Sequence, residues 1–441
     1  MFSHRDLLML IIPLVIEQFL AIFIGMADTL MVSSISESAV SAVSLVDSIN
    51  VLLVQLFSAM ATGGAVVAAQ YLGRRDNASA CTAAKQLLYV SFFISLAISV
   101  LSIALCEQIL ILCFGQLSQT TLAYCRTYFY LSALSYPALA LYNGGAALLR
   151  VMRNSRSSMF TSMIMNAVNI AGNALLIYVF HMEVAGAAIA SLVSRVLGAI
   201  IMIRLLLQPT APIHLIRPRK PELNWSMIKR IFSQGIPNGL ENSMFQIGKL
   251  MVASLVAMFS ESIIAANAVS SNIASLANLP GAAIGLAMIT VVGQCVGAGD
   301  TKQAKYYSIR LLGITYITMV LTNGLLYLFA PNLASIFGLS PEGHDAAVTV
   351  LRNFALLAAL FWPASFTVPN ILRAAGDSKF TMTVSVLSMW IFRIGASYLF
   401  VNYFKIGLMG IWYAMFIDWI ARSIVFGLRY KSGKWLTKKI V

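Results

Sequence analysis

Charge is what this sequence has least of: only 10% of its 441 residues are Asp, Glu, Lys or Arg, against about 25% in an ordinary soluble domain. Water is therefore not its main solvent. Histidine and cysteine are scarce as well, at four and five residues. Cys81, Cys106, Cys113, Cys125 and Cys295 are odd in number and form no Cys-x-x-Cys, which supports neither a disulfide framework nor a metal site. They read as small packing residues. His181, His214 and His344 fall in or near loops without ligand spacing. A phosphate-cradling GxxxxGK[ST] loop is missing, so ATP is not a direct energy source within this chain. Ser/His, paired-Asp and HExxH constellations are missing from the apolar runs too, which argues against an intramembrane enzyme and against a bound cofactor.

Apolar residues fill the space, at 59% of the chain and a mean hydropathy of +0.83. Runs of about 20 such residues or more recur from end to end, which predicts an all-α integral membrane protein of about twelve transmembrane helices. The first lies near 8–31 and the last near 407–429. Barrel strands are excluded because the runs are too long and do not alternate. The first run could pass for a signal peptide, but it is too long, contains Glu17 and lacks a small-x-small cleavage site.

The net charge of +14 would suit nucleic acid if the basic residues were gathered on a soluble face. They are sorted by loop instead. Arg74, Arg75 and Lys85 follow the second span, Arg150, Arg153 and Arg156 the fourth, and Arg217, Arg219, Lys220, Lys229 and Arg230 the sixth. Lys302, Lys305 and Arg310 follow the eighth, Arg373 and Lys379 the tenth, and Arg429, Lys431, Lys434, Lys438 and Lys439 close the chain. Loops after odd spans carry only Arg126, Arg352 and Lys405. The positive-inside rule then puts both termini in the cytoplasm of a multi-pass protein, with a bacterial inner membrane as its setting. Topology and anionic lipid account for the charge, so membrane lipid is an expected partner and nucleic acid is not.

Shifting the sequence by 224 residues aligns Pro13 with Pro237, Glu17 with Glu241, Glu37-Ser38 with Glu261-Ser262 and Ala42 with Ala266. The same shift aligns Gln70 with Gln294, Gly73 with Gly297, Asp76 with Asp300, Ala80 with Ala304 and Gly186 with Gly410. Polar and turn residues recurring at one offset through several spans indicate duplication. The register slips by one residue near Arg150 and Arg373. Six spans per repeat is an even number, so both repeats enter the membrane from the same side and the two bundles are parallel. The predicted units are an N-terminal six-helix bundle at 1–207, a cytoplasmic linker at 208–226 rich in proline and basic residues, and a C-terminal six-helix bundle at 227–441.

Ile12-Pro13 with Ala27-Asp28-Thr29, Val292-Gly293-Gln294 with Gly297-Ala298-Gly299-Asp300, Leu372 to Ser378, and Gly186 to Ala190 resemble the signatures of the multidrug and toxic compound extrusion (MATE) family in order and spacing. The resemblance covers essentially the whole chain and is nearest to the DNA-damage-inducible-like bacterial branch. It implies a V-shaped pair of six-helix bundles that exports organic, often cationic, compounds in exchange for protons or sodium. A monomer binding a small organic substrate is expected.

An ionised side chain at mid-bilayer costs several kcal/mol, roughly 2.5–3.5 on insertion scales, so each one needs a partner, a wet cavity or a function. Asp28 has no acidic counterpart in the second half, where the shift lands on Val252. It is the candidate coupling carboxylate, with a helix cap or a headgroup contact as the competing reading. Asn169 and Asn173 are one turn apart, with Asn166 three residues before, so the three can share a face. Amides cannot titrate, but they can fix a carboxylate or offer neutral oxygens to sodium, and Ser191 could join them; glue between helices is the alternative. The resemblance implies a first-helix Asp, an Asn and an Asp on the fifth helix and a hydroxyl on the sixth; here Asn173 stands where the second acid would be. No metal beyond a sodium at Asp28, Asn169 and Asn173 is expected.

Glu17 and Glu241 follow the paired prolines and read equally as structural or as substrate contacts. Lys249, Arg393 and Asp418 are further internal charges of the second half, and Asp418 is expected to pair with Arg393 or Lys249, permanently or as a gate. Arg195 and Arg422 lie nearer the cytoplasmic ends and are expected to snorkel. The leading functional expectation is a secondary antiporter for amphipathic, cationic organic compounds working by rocker-type alternating access. A lipid-linked oligosaccharide flippase of the same superfamily is the second; the span count argues against it and Lys249 with Arg393 keep it open.

Overall fold

A computed structural model describes residues 2–115, 117–215, 223–438 and 440. Part of the expected linker, 216–222, lies outside the described residues, and with it Arg217, Pro218, Arg219, Lys220 and Pro221; so does Lys439. All regular structure among the described residues is helical. Hydrocarbon offers no hydrogen bonds to a backbone, and a helix satisfies its own. The first half holds α1 (His4–Ser33), α2 (Glu37–Gly73), α3 (Asn77–Ala104), the short α4 (Cys106–Phe114), α5 (Gln119–Val151), α6 (Ser155–Asn173) and α7 (Glu183–Leu206). The second holds α8 (Trp225–Val256), α9 (Glu261–Ala277), α10 (Leu279–Gly297), α11 (Thr301–Ser335), α12 (Pro341–Trp362), α13 (Val368–Ala374), α14 (Ser378–Ser388), α15 (Ala396–Tyr398) and α16 (Leu408–Lys431). Ten helical segments among the described residues are long and apolar enough to cross a membrane. With α5 and α8, which are 33 and 32 residues long and exceed the ~30 Å of a hydrocarbon core at ~1.5 Å per residue, the protein has about twelve membrane helices.

The chain divides into two compact units, Phe2–Gly239 and Leu240–Val441, with the division falling inside α8. In the first, α2, α3 and α7 pack on α5, and α6 sits between α1 and α7. In the second, α9 and α11 pack on α12, α10 lies against α11 and α13, and α16 packs on the turn 389–395. Each unit has its own apolar core, one around Val43, Val46, Phe129 and Ala187 and one around Phe354, Trp362, Phe416 and Trp419.

The repeat is written into the backbone as well as the side chains. Asp76 caps α3 by accepting from the Ser79 N–H at 3.0 Å, and Asp300 caps α11 by accepting from the Gln303 N–H at 2.9 Å, at the same 224-residue offset. Wide π-type turns run over Ala174–Val179 and Leu399–Tyr403, closed by equivalent bonds from Phe180 N–H to Leu175 C=O and from Phe404 N–H to Leu399 C=O, both 3.1 Å. Positive backbone φ recurs too: Arg75 at 63° matches Gly299 at 73°, and His181 at 51° matches Lys405 at 52°. Ordinary residues reach this left-handed region at a cost of about 1–2 kcal/mol, so the turn geometry is fixed by the duplicated scaffold rather than by glycine.

Nothing lies within 4 Å of a Cβ added at Gly299, or at Gly324 in the middle of α11. Gly299→Ala should therefore lower stability by about 1 kcal/mol through backbone strain alone, whereas Gly324→Ala should raise it by about 0.5–1 kcal/mol through helix propensity. Thermal unfolding midpoints of the purified protein in non-ionic detergent test this, and shifts of the same sign would contradict it.

Candidate functional site

The packing of α6 between α1 and α7 decides where the first-half polar residues meet. Asn166, Asn169 and Asn173 occupy one face of α6 and are buried, the last two at 0% exposure. Asp28 reaches them from the last turns of α1. The Asn173 amide donates to Asp28 Oδ1 at 2.5 Å, and the Ser191 hydroxyl on α7 points to Asp28 Oδ2 at 3.5 Å. Asn169 links the two by donating to Ser191 Oγ at 3.0 Å and accepting from the Asn173 amide at 3.5 Å. All four residues proposed for cation coupling thus form one network drawn from three helices. Asn166 stands apart, donating to the Ser162 carbonyl at 2.8 Å. Asn173 Oδ1, the other end of the amide that donates to Asp28, is buried with no hydrogen-bond partner among the described residues.

A second acid escaped the sequence reading. Asp47 on α2 accepts from the Asn50 amide at 3.0 Å and from the Tyr128 hydroxyl at 3.4 Å, and Tyr136 donates to Asn50 Oδ1 at 2.9 Å. Asp47 and Arg195 are close enough to act on Asp28 through space. The Asp-x-x-Asn spacing inside an apolar run was the available signal. Arg195 does not snorkel: its guanidinium donates to Ser135 Oγ, a buried hydroxyl, at 2.7 Å.

Glu17 and Glu241 occupy matching ion pairs. The Ser158 hydroxyl donates to Glu17 at 2.7 Å and Arg150 lies 3.6 Å away. Glu241 faces Arg373 at 2.6 Å and Arg422 at 3.9 Å. Arg150 and Arg373 are the residues at which the repeat slips by one, so the pair is preserved although the register is not. Both carboxylates are buried against arginine and neither is left without a counter-charge.

The expected pairing of Asp418 is not formed. Asp418 is fully buried and its Oδ1 accepts from the Ser388 hydroxyl at 2.5 Å. Among the described residues neither Arg393 nor Lys249 comes within 4.0 Å of a carboxylate. The reason is where α14 ends: Met389–Gly395 is a π-type turn, and Arg393 lies over the Phe245 ring at 5.0 Å, with Lys249 over the same ring at 5.5 Å. Both line a cavity of about 420 Å³ inside the second half. Arg422 does not snorkel either; it is 2% exposed, donates to Ser385 Oγ at 3.0 Å and stacks over Phe366 at 4.6 Å. No group of three or more His, Cys, Asp or Glu among the described residues could hold a metal ion.

Known proteins bear on this arrangement. The MatE family model matches residues 13–175 and again residues 237–399. Its two matches stand at the offset of the repeat. The uncharacterized transporter YisQ of Bacillus subtilis (strain 168) is 29% identical over 433 residues, which span 97% of this chain and 94% of that protein. The probable multidrug resistance protein NorM of Thermotoga maritima is 27% identical over 449 residues, spanning 99% and 94%. Among solved structures, an outward-facing multidrug resistance MATE family transporter of the MOP superfamily superposes with a TM-score of 0.91 at 20% identity, over 99% of this chain and 97% of that one. A MATE protein in a bent conformation gives 0.90 at 20% identity, over 98% and 96%. At that identity the structures speak to the fold.

Removing one partner of a buried ion pair strands the other, at about 3–5 kcal/mol. Glu241 serves two arginines and Glu17 one, so Glu241→Ala should lower the unfolding midpoint in detergent more than Glu17→Ala. An equal or larger loss at Glu17 would refute this division of roles.

Proposed function

The chain belongs to the MatE family, and we propose that it is a secondary antiporter that exports amphipathic, cationic organic compounds in exchange for protons or sodium. It is a multi-pass membrane protein whose relatives are transporters, among them a probable multidrug resistance protein. The reading is carried by one observation: Asp28 is held by neutral groups alone, with no cation within 4.0 Å among the described residues. A carboxylate locked to arginine cannot exchange its partner. One braced by an amide and a hydroxyl can take up a proton or a hard cation and release it when access changes.

The network defines what each residue does. Asn173 holds Oδ1 in place. A proton taken up at Oδ2 turns that oxygen from acceptor to donor, and Ser191 Oγ, which also accepts from Asn169, has a lone pair left to receive it. Sodium would instead draw on the oxygens of Asp28, Asn169 and Asn173, with Ser191 Oγ able to join them. Either cation cancels the charge of Asp28, which lowers the cost of holding that carboxylate in hydrocarbon. The distribution of Lys and Arg supports cytoplasmic termini in the bacterial inner membrane, and the duplication supports two halves, 1–207 and 227–441, joined by 208–226, that alternate access as a monomer.

Asp28→Asn should abolish export of a fluorescent organic cation from proteoliposomes whether a pH or a sodium gradient drives it. Asn173→Ala, which loses a charge-assisted hydrogen bond of about 1.5–3 kcal/mol, should slow it about tenfold or more. Undiminished export by Asp28→Asn at equal protein content would remove Asp28 from the mechanism.

A further inference from the structure

The duplication allows the two halves to be compared slot by slot, and their charges are reversed. At the shift of 224 residues, Asp28 becomes Val252 and Asp47 becomes Ser271, while Asn169 becomes Arg393 and Gly25 becomes Lys249. Acids leave the slot and bases enter it. Val252, Ser271, Lys249 and Arg393 all line the second-half cavity, whose charged lining residues are these two bases and nothing acidic.

We propose that this cavity binds aromatic organic anions, carboxylates or sulfonates of two or three rings. Two cations lie against one ring there, Lys249 at 5.5 Å and Arg393 at 5.0 Å from the Phe245 centroid. Two like charges lining one cavity repel, and an anion that joins them relieves the repulsion. Asp418, whose Oδ1 accepts from Ser388, is not among the residues lining the cavity, so among the described residues no carboxylate faces the two bases there. The walls suit a flat ligand. Trp362 and Phe366 are stacked at 5.1 Å with 22° between planes, and Trp419 meets Phe366 edge-on at 5.9 Å. Trp419 adds a buried indole N–H with no hydrogen-bond partner among the described residues, a donor suited to an anionic oxygen. A volume of about 420 Å³ lies in the range of small-molecule sites.

The proposal does not rest on the transport reading, which concerns a cationic substrate; binding of the anion needs no gradient. It is tested by calorimetric titration of the purified full-length protein in non-ionic detergent with 2-naphthoate and with the size-matched cation 2-naphthylmethylammonium, after subtracting uptake by empty micelles. Wild type should bind naphthoate at least tenfold more tightly than the cation. Lys249→Gln and Arg393→Gln should each weaken naphthoate about tenfold, and Trp419→Phe, which keeps a ring and loses the donor, a few-fold. Lys249 is exposed to the cavity and its variant should fold; if Arg393→Gln does not, Lys249→Gln decides. Equal affinity for the two probes, or wild-type naphthoate affinity in Lys249→Gln, would overturn the proposal. Loss of coupled export with naphthoate binding intact would count against the antiport reading alone.

Discussion

An ionised side chain in hydrocarbon is costly, and the way each one is compensated organises this protein. The chain forms helices because its backbone has no water to bond, and it then carries a handful of charges into that setting. Three kinds of compensation result. Glu17 with Arg150 and Glu241 with Arg373 neutralise each other by direct pairing. Asp28 is compensated by neutral donors, Asn173 and Ser191, and keeps its charge available. Lys249 and Arg393 lie against the Phe245 ring with no carboxylate within 4.0 Å among the described residues, the weakest compensation of the three. Readiness to take a partner from outside rises along that series.

Gene duplication makes the series interpretable. Features that hold the scaffold recur at one offset: the Asp76 and Asp300 caps, the left-handed residues at 75 and 299 and at 181 and 405, and the turns ending at Phe180 and Phe404. The Glu–Arg pairs recur even though the arginines have slipped by one residue. A slip of one residue turns a helical position by about 100°, and a long, flexible guanidinium can absorb that and still reach its carboxylate.

Much of this was legible in the sequence. Long apolar runs fixed the helices, since little else can satisfy a backbone in lipid, and the offset of 224 residues was readable because polar residues seldom agree by chance. The Asp28 cluster could be anticipated because Asn169 and Asn173 are spaced by one helical turn. What could not be read were contacts set by local departures from the regular helix. Arg393 falls within the π-type turn 389–395, whose wider winding re-aims the side chain, so the expected partnership with Asp418 is replaced by Phe245 for one and Ser388 for the other. Arg195 and Arg422 looked able to snorkel from their depth along the helix, yet buried hydroxyls hold them inward. Asp47 was passed over because the tyrosines that complete its network, Tyr128 on Asp47 itself and Tyr136 on Asn50, belong to α5, distant in sequence.

The reversal of charge between the halves follows from the same division of labour. A site can change its chemistry only if the fold does not depend on it. Here the strongly paired charges, Glu17–Arg150 and Glu241–Arg373, are kept in both halves, whereas the slot holding Asn169 in one half and Arg393 in the other contributes no ion pair in either. Such a slot is free to exchange amide for guanidinium without dismantling the bundle, because the apolar cores around Phe129 and Phe354 and the duplicated pairs carry the stability. One scaffold, copied, can then hold a carboxylate among neutral donors in one half and two bases among aromatic rings in the other.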